Sequence, residues 1–142
     1  MNPTIEKFGF PRTLLKEFDH WLVLARPAQV TLGSLVLAAR SKATAYCDLS
    51  RDAFSNQADA ISYVEKLLAR FVSYERINYL MLMMVDPQVH FHVIPRYSTP
   101  RSWNGIEFAD AGWPGPPRLD ASVKLEPGQL SDLVADLRAS PA

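Results

Sequence analysis

The nine residues from Gln88 to Arg96, QVHFHVIPR, constrain the fold of this chain more than any other segment. Side chains on a β-strand point to opposite faces with a period of two. The alternation therefore predicts a strand with one apolar face and one imidazole-bearing face. The polar face carries Gln88, His90 and His92, and the apolar face carries Val89, Phe91 and Val93. We expect a hydrophobic core on one side of this strand and a polar site on the other.

The paired imidazoles are the chemical feature of this strand. Residues two apart on a strand lie roughly 6.5–7 Å apart, so His90 and His92 can reach one phosphate or one metal ion. Imidazole is nucleophilic, binds metals and titrates near neutral pH. Three interpretations follow: a catalytic pair, two ligands of a divalent metal, or a half-exposed strand whose histidines meet solvent. Two histidines are few for a metal site, and no carboxylate is spaced to join them.

Apolar periodicity outlines the helices and the first two strands. Steps of three and four residues predict an amphipathic helix over 55–76 and a second helix over Pro127–Ala139. Continuous apolar runs predict strands at 21–25 and 35–39, joined by a loop that begins at Arg26-Pro27.

The remaining segments have weaker patterns. The apolar run 77–85 predicts a central strand buried on both faces, although its Met and Leu residues also fit a helix. Asp86-Pro87 predicts a turn that lays the histidine strand antiparallel beside it. Residues 2–11 are expected to form an arm or loop, and 13–20 one or two helical turns. The segment 101–117 is rich in Pro, Gly and Trp and is expected to be irregular. The order strand, strand, long helix, strand, strand predicts an α+β domain with an antiparallel sheet.

Composition narrows the class of protein. A length of 142 residues fits one domain over 1–142, with a core at about 12–100 and an extension at 101–142. Fifteen basic and fifteen acidic side chains cancel, which argues against a nucleic-acid or membrane-surface binder. The single cysteine, Cys47, fits a reducing compartment, and no apolar run approaches the ~18–20 residues that span a bilayer. We therefore expect a cytoplasmic protein.

The sequence from His90 to Arg96 resembles the signature of the histidine triad (HIT) nucleotide hydrolases and transferases. In that signature three histidines alternate with apolar residues, commonly ahead of Pro-Arg. The resemblance covers Ile77 to Tyr97 and extends more weakly back to Trp21. It implies an antiparallel sheet of about five strands with one long helix and a C-terminal helix. It also implies a nucleotide or nucleoside-phosphate ligand, a homodimer, and no metal or other cofactor.

The resemblance assigns roles to the histidine strand. The middle histidine of the signature, which is His90 by position, attacks the α-phosphorus of a nucleotide. The last, His92, donates to a non-bridging phosphate oxygen and stabilises the transition state. The first histidine is replaced by Gln88, whose amide cannot be protonated. Gln88 either orients His90 by a hydrogen bond or is a plain polar strand residue.

Four further residues are candidate substrate ligands. Asn78 resembles an asparagine that the family has near the phosphate, although an amide bonded to a nearby loop backbone fits equally well. Arg26 lies near the ribose position, where the family typically has Asn or Asp, and Arg96 at the end of the histidine strand is either a phosphate ligand or a solvated charge. Ser34 follows Gly33 where the family usually has another histidine, so it departs from the pattern but can still hold a phosphate oxygen. Met83-Met84-Val85 stands where many members have Gly-Gln-Ser/Thr, so the assistance that those side chains give to the leaving group is missing.

Two functional hypotheses lead. The first is a HIT-type hydrolase or nucleotidyltransferase that acts through His90 on AMP-linked or dinucleoside polyphosphate substrates. The second is a protein that binds a nucleotide or phosphorylated metabolite with a decayed triad. The departures at Gln88, Ser34 and Val85 favour the second hypothesis, and the histidine strand together with Asn78 favours the first.

Overall fold

The computed structural model of the protein describes residues 2–140. The helices are α1 (Pro3–Lys7), α2 (Arg51–Val72) and α3 (Pro127–Ala139), with a 3-10 turn at Tyr46–Asp48. The strands are β1 (Leu14–Glu17), β2 (Trp21–Ala25), β3 (Ala28–Gln29), β4 (Leu35–Ala39), β5 (Arg76–Leu80), β6 (His90–Arg96), β7 (Arg101–Trp103), β8 (Ile106–Phe108) and β9 (Val123–Lys124).

Five of the strands form an antiparallel sheet in the order β1-β2-β4-β6-β5. Every residue of β2 and β4 is buried, because both faces of the sheet are covered at these strands. This is why the two strands appear in the sequence as continuous apolar runs. The predicted α+β class is confirmed, with its five-stranded antiparallel sheet, its long helix and its C-terminal helix.

The two faces of the sheet are covered by different parts of the chain. One face packs against α2 and α3 through buried residues such as Val64, Leu67 and Leu133. The opposite face packs against α1, whose Ile5 is fully buried. The sheet residues in this second cluster are Leu22, Leu24, Val36 and Ala38. The N-terminal segment is therefore part of the packed domain.

Helix α2 is the predicted long helix, and both of its ends lie four residues before the predicted 55–76. It begins early because the Ser50 hydroxyl accepts a hydrogen bond from the Ala53 N–H at 3.1 Å, which caps the first turn. It ends early because Ser73 adopts a left-handed conformation with φ 48°. Within residues 2–140, none of the helices is both long and apolar enough to span a lipid bilayer.

The predictions for the N-terminal segment were wrong. Residues 13–20 contain strand β1, not helical turns, because pairing with β2 satisfies its backbone and buries Leu15. Residues 2–11, expected to be an arm or loop, contain helix α1. Asn2 caps this helix by accepting a hydrogen bond from the Ile5 N–H at 2.9 Å, and Pro3 occupies its first turn. The Asn-Pro pair was the signal for this helix start.

The prediction for residues 77–85 was partly wrong. A strand is present and pairs antiparallel with β6, but β5 ends at Leu80 and lies at the edge of the sheet. After it the chain turns through Met83, which has φ 50°. Met84 and Val85 remain 87% and 79% exposed. The second half of the apolar run is therefore an exposed loop beside the histidine strand and not the continuation of a buried strand.

The segment 101–117 is held to the sheet by a buried ion pair. It includes the hairpin β7–β8, whose Asn-Gly turn has positive φ at both residues. Arg96, at the end of β6, donates to Asp110 at 2.6 and 3.1 Å and to the carbonyl of Gly115 at 2.9 Å. Both charged side chains are almost completely buried. These contacts fix the segment 101–117 against β6, the strand that carries the histidines.

We predict that Asp110→Asn lowers the free energy of unfolding by about 3–5 kcal/mol, because it leaves the buried Arg96 charge without its partner. Urea denaturation measures the change. The matched control is Asp120→Asn, which breaks the fully exposed Arg118–Asp120 pair and should leave stability nearly unchanged. Equal effects of the two substitutions would contradict the structural role of the buried pair.

Candidate functional site

The pairing of β6 places both histidines on the face of the sheet that α1 covers. In the β4–β6 register, His92 lies opposite Val36 and His90 opposite Ala38. Side chains paired directly across antiparallel strands point to the same face. Val36 and Ala38 pack with Ile5, so the imidazoles share that face and point away from α2.

The two imidazoles lie close together, as the alternation predicts. Their ring centroids are 5.1 Å apart, and the side chain of Phe8 lies 5.6 Å from each ring. His90 is 2% exposed and His92 is 8% exposed. Both rings line a cleft with a volume of about 320 Å³. The pair is therefore largely shielded from bulk water but open to a small ligand.

The cleft is formed by the end of α1, the loop after β5 and the histidine strand. Its lining residues are Lys7, Phe8, Arg26, Leu82, Met83, Met84, Val85, Asp86, His90 and His92. An ion pair of 3.0 Å between Lys7 and Asp86 joins α1 to the loop. Arg26 and Lys7 are cationic and Asp86 is anionic, so the charged side chains of the lining carry one net positive charge, which suits an anionic ligand.

The tautomer of His90 follows from its hydrogen bond. Its Nδ1 atom lies 2.7 Å from the backbone carbonyl oxygen of Gln88. A carbonyl can only accept, so Nδ1 must carry the proton and donate it. In the neutral ring Nε2 then holds the free electron pair. This is the form in which an imidazole acts as a nucleophile.

Gln88 contributes to this arrangement through its backbone. Its side-chain Oε1 accepts a hydrogen bond of 2.6 Å from the hydroxyl of Thr4, so the amide is directed to α1. The residue precedes β6 and is followed by Val89, whose side chain is buried in the main core. Gln88 thus links the N-terminal helix to the carbonyl that orients His90.

Arg26 is the charged group beside His92. Its Nη1 donates to the carbonyl of Ala28 at 2.6 Å, and its Nε lies 3.4 Å from Nδ1 of His92. Burial lowers the pKa of Arg26, which nevertheless stays protonated. Burial first, then the charges of Arg26 and His90, lower the pKa of His92 to about 4, and Asp86 acts in the opposite direction. His92 is therefore neutral at pH 7.

Three residues that the sequence suggests as substrate ligands lie outside the lining of this cleft. Ser34 is fully buried, where its hydroxyl donates to the Thr31 carbonyl at 2.8 Å and accepts from the Thr31 N–H at 3.0 Å. Asn78 accepts a hydrogen bond of 2.8 Å from Arg96. Asn78 and Arg96 border a second cleft of about 450 Å³ next to Trp113. The structure does not bring these three residues together with the histidines.

Several residues of the cleft have no signal in the sequence. Lys7 and Phe8 come from the N-terminal segment that was expected to be a loop, as does Thr4, which is bonded to Gln88 outside the cleft. Asp86 was interpreted only as a turn residue, although its carboxylate lines the cleft. Its presence does not complete a metal site: among residues 2–140, no group of three or more His, Cys, Asp or Glu side chains converges. These cleft residues could not be found from the sequence, because tertiary packing brings them to the histidines and local patterns do not encode that packing.

No protein-family model matches the chain, and no curated protein sequence is significantly similar to it. Solved structures do match. A histidine triad protein from Bradyrhizobium japonicum has a TM-score of 0.73 and 18% identity, covering 99% of this chain and 96% of that chain. A histidine triad protein from Sinorhizobium meliloti has a TM-score of 0.74 and 17% identity over the same shares. The chain has the histidine triad fold.

The chain also resembles a solved structure with a lower sequence identity. The diadenosine triphosphate hydrolase of Plasmodium falciparum has a TM-score of 0.66 and 10% identity, covering 91% of this chain and 76% of that chain. In this chain the strand that carries the histidine-triad pattern is β6, and Gln88, at the first position of that pattern, lies just before it. The identities are low, so the roles of individual residues depend on the local geometry described above.

We predict that burial of neutral His92 makes the protein less stable in mild acid. The ring has a pKa of about 4 in the folded state and ~6.5 when unfolded. As pH falls from 7 to 5, the unfolded chain gains a proton that the folded chain does not, which costs about 2 kcal/mol of stability. Urea denaturation of wild type and His92→Gln at both pH values measures this, and the variant should lose correspondingly less. Parallel losses would contradict the burial of a neutral ring.

Proposed function

We propose that the protein binds a nucleotide and acts at its α-phosphate, with His90 as the nucleophile. The observation that carries this proposal is the His90 ring, whose Nδ1–H is held by the Gln88 carbonyl while the ring lines a cationic cleft. The substrates would be AMP-linked compounds or dinucleoside polyphosphates. The likeness of the fold to a diadenosine triphosphate hydrolase supports that class.

The proposed reaction has two steps. In the first, Nε2 of His90 attacks the α-phosphorus, a P–N bond forms, and the bond to the leaving group breaks with its electron pair. In the second, a water molecule attacks the phosphorus and loses one proton to the solvent, the P–N bond breaks with its electron pair returning to Nε2, and AMP is released with the neutral imidazole restored. His92 donates a hydrogen bond to a non-bridging oxygen, and the cationic side chains offset the negative charge of the phosphate.

The assembly would be a homodimer, as the resemblance implies. The edge position of β5 and the half-buried side chains of Phe71, Ile77 and Tyr79 on the surface next to α2 support this part of the proposal. The cleft that contains the histidines is lined by residues of the single chain described here.

A second candidate function is binding without turnover. The loop that borders the cleft offers the apolar side chains of Met83, Met84 and Val85, none of which can protonate a leaving group. The amide of Gln88 is directed to Thr4, and Ser34 is committed to its own loop. These features favour a site that holds a nucleotide but leaves departure of the leaving group unassisted.

We predict that the wild-type protein releases AMP from diadenosine polyphosphates or from an adenosine phosphoramidate. His90→Gln should reduce the rate by at least about 10³-fold, because it removes the nucleophile while preserving a polar side chain. Anion-exchange chromatography measures AMP, and mass spectrometry of acid-sensitive adducts detects the nucleotidyl-histidine.

The matched control is His20→Gln, the same substitution at a histidine outside the cleft, which should keep wild-type activity. If calorimetry detects nucleotide binding but no AMP is released, the protein binds a nucleotide without acting on it, and the second candidate function holds. Turnover that survives His90→Gln would contradict the assigned nucleophile.

A further inference from the structure

The two imidazoles of the cleft meet opposite kinds of partner at the same ring atom. Nδ1 of His90 faces a carbonyl oxygen, which only accepts, at 2.7 Å. Nδ1 of His92 faces the Nε–H of Arg26, which only donates, at 3.4 Å. The first contact requires a proton on Nδ1, and the second disfavours one there. The two rings are thus set in opposite tautomers by their neighbours.

Arg26 is fixed in place by contacts that do not involve His92. Its Nη1 is bonded to the Ala28 carbonyl, its backbone N–H donates to the Ser34 carbonyl at 2.9 Å, and its own carbonyl accepts from Gln29 at 2.7 Å. An arginine held in this way presents its Nε–H to His92 in a constant direction. The contact of 3.4 Å is long, but a proton on Nδ1 would set two N–H groups against each other.

We propose that Arg26 is a positioning residue that holds His92 as the neutral tautomer protonated at Nε2. His92 can then donate from Nε2, whereas His90 presents the bare electron pair of its own Nε2. The assignment to phosphate chemistry rests on the proposed function, but the tautomer itself does not. No proton leaves either ring in this role, since His92 donates a hydrogen bond only.

The charges around His92 support the same assignment. Arg26 and His90 face it from the sheet side, Asp86 faces it from the loop after β5, and Lys7 of α1 is paired with Asp86. Burial and the neighbouring cation lower the pKa of His92, so the doubly protonated ring is disfavoured at neutral pH. The positive charge that faces an anionic ligand is then carried by the guanidinium and not by an imidazolium.

The imidazole ¹⁵N spectrum of the protein tests this directly. The chain has three histidines, so His20→Gln, His90→Gln and His92→Gln assign every signal. At pH 7 we expect the wild-type His92 to show an unprotonated Nδ1 and a protonated Nε2, and His90 to show the reverse. In Arg26→Met, His92 should populate both tautomers, and its titration midpoint should move from about 4 towards the ordinary ~6.5. Arg26→Lys, which keeps a cationic donor, should restore part of the wild-type pattern.

The matched control is Lys7→Met, which removes the other cation of the cleft and should leave the His92 tautomer as in wild type. A wild-type spectrum with the proton of His92 on Nδ1 overturns the proposal, and this result does not depend on whether any variant folds. An unchanged tautomer in a folded Arg26→Met protein also overturns it. If one of these two contradicting spectra is found but the protein releases AMP, the role of Arg26 is wrong and the proposed function holds. If the expected spectra are found but no AMP is released, the role of Arg26 holds and the proposed function is wrong.

Discussion

The antiparallel pairing of β6 with β4 is the constraint on which the site depends. Its register places His90 and His92 opposite Ala38 and Val36, on the face of the sheet that α1 covers. A shift of one residue would turn both imidazoles into the apolar layer under α2. Such a shift is opposed because it would remove Val93 from the main core and set the two imidazoles among apolar side chains that offer them no hydrogen-bond partner.

The N-terminal segment forms one side of the site around the two histidines. Phe8 packs against both rings, Lys7 reaches the loop after β5, and Thr4 is bonded to Gln88, whose carbonyl orients His90. Among residues 2–140, every buried side-chain nitrogen or oxygen has a hydrogen-bond partner. Polar residues outside the cleft, such as Ser34, therefore already have partners, and the polar groups of the cleft itself are two imidazoles, two cationic side chains and the carboxylate of Asp86.

The sequence predicts the fold well where burial alone determines it. The apolar runs of β2 and β4 and the helical stripe of α2 are strong local signals, and the alternation in β6 correctly places the two imidazoles on one side. Local patterns fail where tertiary contacts decide: β1 is a strand because β2 offers it a partner, and the run after Leu80 leaves the sheet at Met83. The sequence also identifies Arg26, but neither its contact with His92 nor the participation of Phe8 can be derived from spacing.

The most direct test of this account is a crystal structure of the protein with AMP bound. The account predicts that the α-phosphate lies in the cleft with its phosphorus facing Nε2 of His90, and that a non-bridging oxygen accepts a hydrogen bond from Nε2 of His92. A nucleotide bound instead in the second cleft beside Trp113, with no phosphate near His90, would contradict it.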